Sequence, residues 1–195
     1  VENSVSKDTD MTAQLKKIKA AGADTVIIYG IADGAAQVVR SMEKINYMPI
    51  TLGTWGNLSS LLPKMAGTKL AEHLIMAAST TEDTSAKTKD LGKRVRVNFP
   101  TLTTFPCSAQ AYDSVMLLAA AMKQANSTDG EKVAAALENL NKTEGVIKTY
   151  DKPFTKPNHE VLSFSDFFLA RWKGNEVVWL EDSVYKSITP ADLKK

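Results

Sequence analysis

Two short glycine-bearing segments in this 195-residue sequence carry side chains suited to holding a small molecule: Gly30-Ile31-Ala32-Asp33-Gly34 and Gly53-Thr54-Trp55-Gly56. Trp55 offers a large apolar ring with one N–H donor, and glycine lets a ligand approach the backbone closely. Gly53 and Thr54 would add backbone and hydroxyl contacts, with Gly30, Ile31 and Ala32 as the opposite wall. Trp55 also has a plainer reading, as a ring packed under the following helix.

Other chemistry has thinner support. His73 and His159 are the only histidines, and neither has a second His or Cys at zinc-ligand spacing. Serines occur without a Gly-x-Ser-x-Gly elbow, so a hydrolase triad has no anchor. Gly30 to Gly34 sits where phosphate loops sit, yet it matches neither a Gly-x-Gly-x-x-Gly fingerprint nor a Walker loop. Gly92-Lys93-Arg94-Val95-Arg96 falls beside an apolar stripe and reads as a solvated helix face. Three Asn-x-Ser/Thr triplets, at Asn57, Asn126 and Asn141, are read as chance. No metal and no cofactor is implied.

A net charge of +2, from 24 basic and 22 acidic residues, points to no nucleic-acid partner. Cys107 is the single cysteine, which excludes an intrachain disulfide. No apolar run reaches the roughly 18 residues that span a bilayer, and the N-terminus lacks a signal-peptide pattern. Val1 reads as already within a short strand, which suggests that a signal or N-terminal region has been removed.

The elements that must position the two segments follow from periodicity. Asp10 suits the N-cap of a helix from Met11 to Ala21, with Met11, Leu15 and Ile18 as its apolar stripe and Gly22 as its stop. Thr25 to Tyr29 is continuously apolar, the pattern of a strand buried on both faces. After Gly30, Asp33 suits the cap of a helix that buries Ala35, Val38, Val39 and Met42, and a strand follows at Ile50 to Leu52. A short helix from Leu58 to Met65 precedes a strand from His73 to Ala78. Strands alternating with helices predict a doubly wound, mainly parallel α/β sheet covered on both faces.

The texture changes at Ser79 to Thr84, a polar stretch that suits a linker. Helices are predicted over Lys87 to Phe99, from about Ser108 to Met122, and over Asp129 to Leu140. The middle one is apolar enough to be nearly buried. Phe164 to Trp172 and Glu176 to Leu180 flank Lys173-Gly174-Asn175 as a hairpin.

The order of these segments, from DTDMTAQLKKIKAAGADTVIIYGIADGAAQVVRSMEKINY through PITLGTWG and AYDSVMLLAAAM to the closing hairpin, resembles the C-terminal portion of periplasmic solute-binding proteins of the branched-chain amino acid type. The resemblance implies a type I binding fold, two α/β lobes closing on a ligand that is passed to an ABC permease. It implies that residues 1–78 form part of lobe 2, 79–148 a crossover and helices of lobe 1, and 149–195 a return segment with the hairpin. The N-terminal part, whose hydroxyls and amides hold a ligand carboxylate in that family, has no counterpart here.

In the amino acid binders of that family an acidic side chain at the strand end matched by Trp55 neutralises the ligand ammonium. The aromatic after the preceding strand is matched by Ile31 or Ala32. An unpaired buried ammonium costs several kcal/mol, so the exchange of acid for ring points to an apolar or aromatic carboxylate. Asp33 is the one acid nearby.

The leading reading is therefore a binding component of an ABC transporter, not an enzyme. It would be periplasmic, or extracytoplasmic and lipid-anchored. Its partners would be a small ligand, the permease, and the absent N-terminal lobe or fragment, or a second copy in a homodimer. The alternatives are a ligand-sensing regulator of the same fold and a doubly wound enzyme.

Overall fold

The structure, a computed structural model, describes residues 1–4 and 8–180. The chain divides into two compact units, Val1–Ala78 with the segment from Phe168 onward, and Ser79–Phe167. Residues 181–195 of the return segment read from sequence lie outside the described residues.

The first unit is a five-stranded sheet of order β1-β2-β3-β6-β7. Its elements in chain order are α1 (Thr12–Ala20), β1 (Thr25–Ile28), α2 (Ala32–Lys44), β2 (Ile50–Gly53), α3 (Leu61–Ala66), α4 (Thr68–Ala71) and β3 (Leu74–Ala78). After the second unit come β6 (Phe168–Lys173) and β7 (Glu176–Trp179). Strands β1, β2 and β3 are parallel, with Val26 opposite Thr51 and Thr51 opposite Leu74. β6 returns antiparallel to β3, and β7 antiparallel to β6. The hairpin turns at Gly174-Asn175, where Gly174 takes the positive φ of 62° that a tight turn demands.

Local signals set the element ends. Asp10 accepts from Thr12 N at 2.8 Å and so caps α1 from outside. Asp33 does not cap α2. It lies in the first turn, where its Oδ1 accepts from Gly34 N, and Ile31 holds the cap position. Val1 is not in a strand, and residues 1–4 have no regular structure. The expected helix from Leu58 is a 3₁₀ turn at Trp55–Asn57 followed by the two short helices α3 and α4.

One apolar core holds this unit together. Leu15 of α1, Ala35, Ala36, Val39 and Met42 of α2, and Leu62 of α3 pack on Val26, Ile28, Leu74, Met76, Ala170 and Trp172. All these strand residues point to the same side of the sheet, by the two-residue alternation and the register. The other side contradicts the expectation of cover on both faces. Ile27 is 71% exposed, Tyr29 94% and Ile50 58%. Within the first unit α1 to α4 all pack on the Val26 side and leave this face uncovered.

The second unit holds α5 (Ala86–Asn98), α6 (Phe105–Ala125), α7 (Gly130–Leu137) and a two-stranded ribbon of β4 (Thr143–Glu144) and β5 (Thr149–Tyr150). Ser85 caps α5, accepting from Thr88 N at 3.1 Å while Thr88 Oγ1 accepts from Ser85 N at 2.9 Å. Ser79, Thr80 and Thr81 are buried, so the polar stretch before α5 is partly packed inward. Pro106 sits in the first turn of α6, where its missing N–H costs nothing.

α6 buries Phe105, Ala109, Asp113, Leu117 and Ala121. It is not nearly buried, however, since Val115 is 65% exposed and Met116 and Leu118 are also open. Asp113, itself buried, accepts from Val146 N at 2.6 Å, Ile147 N at 3.0 Å and the Tyr150 hydroxyl at 2.7 Å. Gly145 lies against this carboxylate so closely that a Cβ there would collide with it. Three donors on one buried carboxylate tie the ribbon to α6.

Three predictions come from this packing. Ile27→Lys is expected to change unfolding free energy by less than about 0.5 kcal/mol, because the site is solvated, and to reduce concentration-dependent self-association of the chain in light scattering. Asp113→Ala leaves two amides and a phenol without an acceptor and is expected to cost about 3 kcal/mol or more in urea unfolding. Burial and the Asp113 carboxylate push the Tyr150 phenol up from its ordinary range. The folded state therefore keeps that proton to higher pH than the unfolded chain. The associated stability is complete below pH ~10 and is lost as pH rises past it, and Tyr150→Phe should remove that alkaline loss in pH-dependent melting.

Candidate functional site

Parallel pairing places Ile28 opposite Gly53, so β1 and β2 end side by side. The chain leaves β1 through Tyr29-Gly30-Ile31 into α2, and leaves β2 through Thr54 into the 3₁₀ turn at Trp55–Asn57. In an open α/β sheet, the crevice beyond the carboxyl ends of the strands is where ligands bind. Both glycine-bearing segments lie on that edge.

The two exits are bonded to each other. Thr54 Oγ1 donates to Gly30 O at 2.8 Å, and Asn57 Nδ2 donates to the same carbonyl at 3.2 Å. Asn57 Oδ1 accepts from Thr54 N at 3.0 Å. Trp172, from β6, donates its Nε1 proton to Asn57 O at 3.1 Å. Asn57 is fully buried, with its carboxamide against Gly53, where a Cβ would collide with Oδ1. A Cβ on Gly56 would meet Ile31 Cγ2 at 3.1 Å, which places the Ile31 side chain against the turn that carries Trp55.

The six residues singled out by sequence fall into distinct positions. Ile31 and Trp55 stay exposed, at 65% and 45%, and form an apolar rim on neighbouring loops. Ala32 turns its methyl into the core. Thr54 spends its hydroxyl proton on Gly30 O, and Gly53 is required by the Asn57 carboxamide. Gly30 has open space where a Cβ would be, but its carbonyl already has two donors. Asn57 was missed by sequence reasoning, although the Thr54-x-x-Asn57 spacing, a variant of the capping-box pattern, was a legible signal.

The electrostatics of this rim are nearly neutral. Between Tyr29 and Gly34, and between Gly53 and Asn57, Asp33 is the sole ionisable acid, and its Oδ1 is turned to its own helix at Gly34 N. No group of His, Cys, Asp and Glu able to hold a metal occurs among the described residues. The second unit has a mainly apolar recess of about 320 Å³, lined by residues that include Leu117, Leu118, Leu137 and Phe154. Two of its polar lining residues, Asp113 and Tyr150, are bonded to each other. No helix of the described residues is long and apolar enough to cross a membrane.

Comparison with known proteins bears on the fold of the chain. No curated protein matches the sequence. Among solved structures, a leucine-binding protein from Thermotoga maritima superposes with a TM-score of 0.75 at 19% identity, covering 90% of this chain and 49% of that one. A type 1 periplasmic binding protein from Bordetella pertussis gives 0.75 at 22% identity, with 91% and 51% coverage. A fatty acid ABC transporter substrate-binding protein from Thermomonospora curvata gives 0.74 at 13% identity, with 93% and 49% coverage. The chain thus spans about half the length of the structures it matches, and at these identities the likeness is one of fold. The periplasmic binding protein family model matches residues 2–176. With that match across most of its length and an α/β sheet of mainly parallel strands, the chain belongs to the periplasmic binding protein family and has its type I fold.

Proposed function

We propose that this chain is part of an extracytoplasmic solute-binding component of an ABC transporter, and that its first unit supplies one wall of a cleft closing on a small apolar or aromatic carboxylate. The observation that carries the reading is the rim itself. Ile31 and Trp55 stand exposed on two loops bonded together at the carboxyl edge of the sheet, where an acid would be needed to hold an ammonium group. A ring and a branched aliphatic side chain there match an apolar ligand body. The ligand carboxylate is then held from the N-terminal part of the facing lobe, for which the resemblance gives no counterpart here, and hinge closure brings the two together. Delivery to a membrane permease and an extracytoplasmic location follow from the same reading. The structural relatives include binders of leucine and of fatty acids, so the fold admits ligands with and without an ammonium group.

The tests use calorimetry with phenylacetate, 3-phenylpropionate, leucine, isoleucine and valine. In a protein that includes the facing lobe, Trp55→Ala is expected to weaken the aromatic carboxylates by about 2–4 kcal/mol of binding free energy while the melting temperature barely moves. Trp55→Glu is expected to shift preference toward the amino acids, because their ammonium group then has a partner. If Trp55→Ala melts far below the parent yet binds equally well per folded molecule, Trp55 is a packing residue and this site is excluded. The 195-residue chain alone should bind at least a hundredfold more weakly than the longer protein. On this reading the charge-assisted hydrogen bonds that hold the carboxylate, worth roughly 1.5–3 kcal/mol each, come from the N-terminal part of the facing lobe.

A further inference from the structure

We infer that Asn57 is the positioning residue of the candidate site. One buried carboxamide locks the loop after β1 to the loop after β2, so that the Ile31 and Trp55 rim is formed before any ligand arrives. The same bonds remove the Gly30 carbonyl as an acceptor for a ligand. The assignment of the rim as a ligand wall rests on the proposed function, but the locking does not.

The geometry divides the work of the carboxamide. Its Nδ2 side holds the β1 exit, through Gly30 O at 3.2 Å, and its Oδ1 side holds the β2 exit, through Thr54 N at 3.0 Å. The backbone carbonyl of Asn57 is anchored in turn by the buried Trp172 indole at 3.1 Å, so the lock is tied to β6 and the core. Thr54 Oγ1 adds a second bond to Gly30 O at 2.8 Å. A carbonyl oxygen has two lone pairs, and both are now used. A ligand ammonium approaching this edge meets no open acceptor at Gly30, which deepens the preference for an apolar ligand body. Fixing both loops in advance also spares the binding step the cost of ordering them.

Two substitutions separate the two directions. Aspartate keeps the acceptor for Thr54 N but sets a second oxygen against Gly30 O, and alanine loses both bonds. Gly53 has no Cβ to push the carboxamide away, so the fit depends on glycine and asparagine together.

The experiment is backbone NMR on the ligand-free 195-residue chain, reading ¹⁵N order parameters and the Gly30 carbonyl ¹³C shift. In the parent chain Gly30, Ile31, Thr54 and Trp55 are expected at the rigid value of about 0.85. Asn57→Asp should lower Gly30 and Ile31 below about 0.6 and leave Thr54 and Trp55 rigid, whereas Asn57→Ala should loosen both loops. Thr54→Val, at a half-buried position, should move the Gly30 carbonyl shift by removing one donor. The proposal is overturned if the loops are already mobile in the parent, or if Asn57→Asp leaves Gly30 and Ile31 as rigid as before. Should neither Asn57 variant fold, an unmoved Gly30 carbonyl shift in Thr54→Val overturns it. Because no ligand is present, failure here is separate from failure of the calorimetric tests of Trp55.

Discussion

Parallel strands offer an apolar surface on both sides of a sheet, and the helices of this chain cover one side. That constraint organises the first unit. Val26, Ile28, Leu74 and Met76 lie under α1 to α4, while Ile27, Tyr29 and Ile50, of the same character, face outward. Exposed β-branched and aromatic side chains in that number are what a parallel sheet hides when its second layer is present. The long helix α6 has the same asymmetry, with Leu117 and Ala121 inside and Val115 and Leu118 outside.

On the covered side the packing is close, because many of the facing residues are small. Ala35, Ala36, Ala71, Ala78 and Ala170 are completely buried, which lets helices settle near the sheet while Met42, Leu62 and Met76 fill the gaps between. This matters to the candidate site. β1 and β2 are aligned by that packing as well as by their ladder, and the alignment sets Ile28 beside Gly53. Adjacent parallel strands are about 4.8 Å apart, so the segments after them are close enough for one asparagine to bridge.

The bridge changes what the edge can do. Gly30 O, Thr54 N and the Thr54 hydroxyl would all be available in two separate loops, and here they are bonded to each other or to Asn57. What remains outward is the apolar part of Ile31 and the ring of Trp55. A leucine-binding protein and a fatty acid ABC transporter substrate-binding protein share the fold of this chain, and a fold by itself leaves function to the side chains placed on it.

By itself the sequence determined the elements that depend on neighbours in the chain. The apolar run TVIIY, the helical spacing of Ala35, Val39 and Met42, the Lys173-Gly174-Asn175 turn and the glycine-flanked Trp55 are signals written within a few residues, and β1, α2, the β6–β7 hairpin and the exposed ring answer to them. Hydrophobic periodicity states that a face is apolar, but not whether anything covers it. Ile27 and Ile28 are identical in type, and only the arrangement of α1 to α4 on one side buries one and bares the other. That the Thr54 hydroxyl donates to Gly30 O at 2.8 Å is set by the register and not by any local signal. Asn57, which looks like one more polar residue in a loop, becomes the joint between the two strand exits for the same reason, since Gly30 lies 27 positions away in sequence and meets it only when two parallel strands pair.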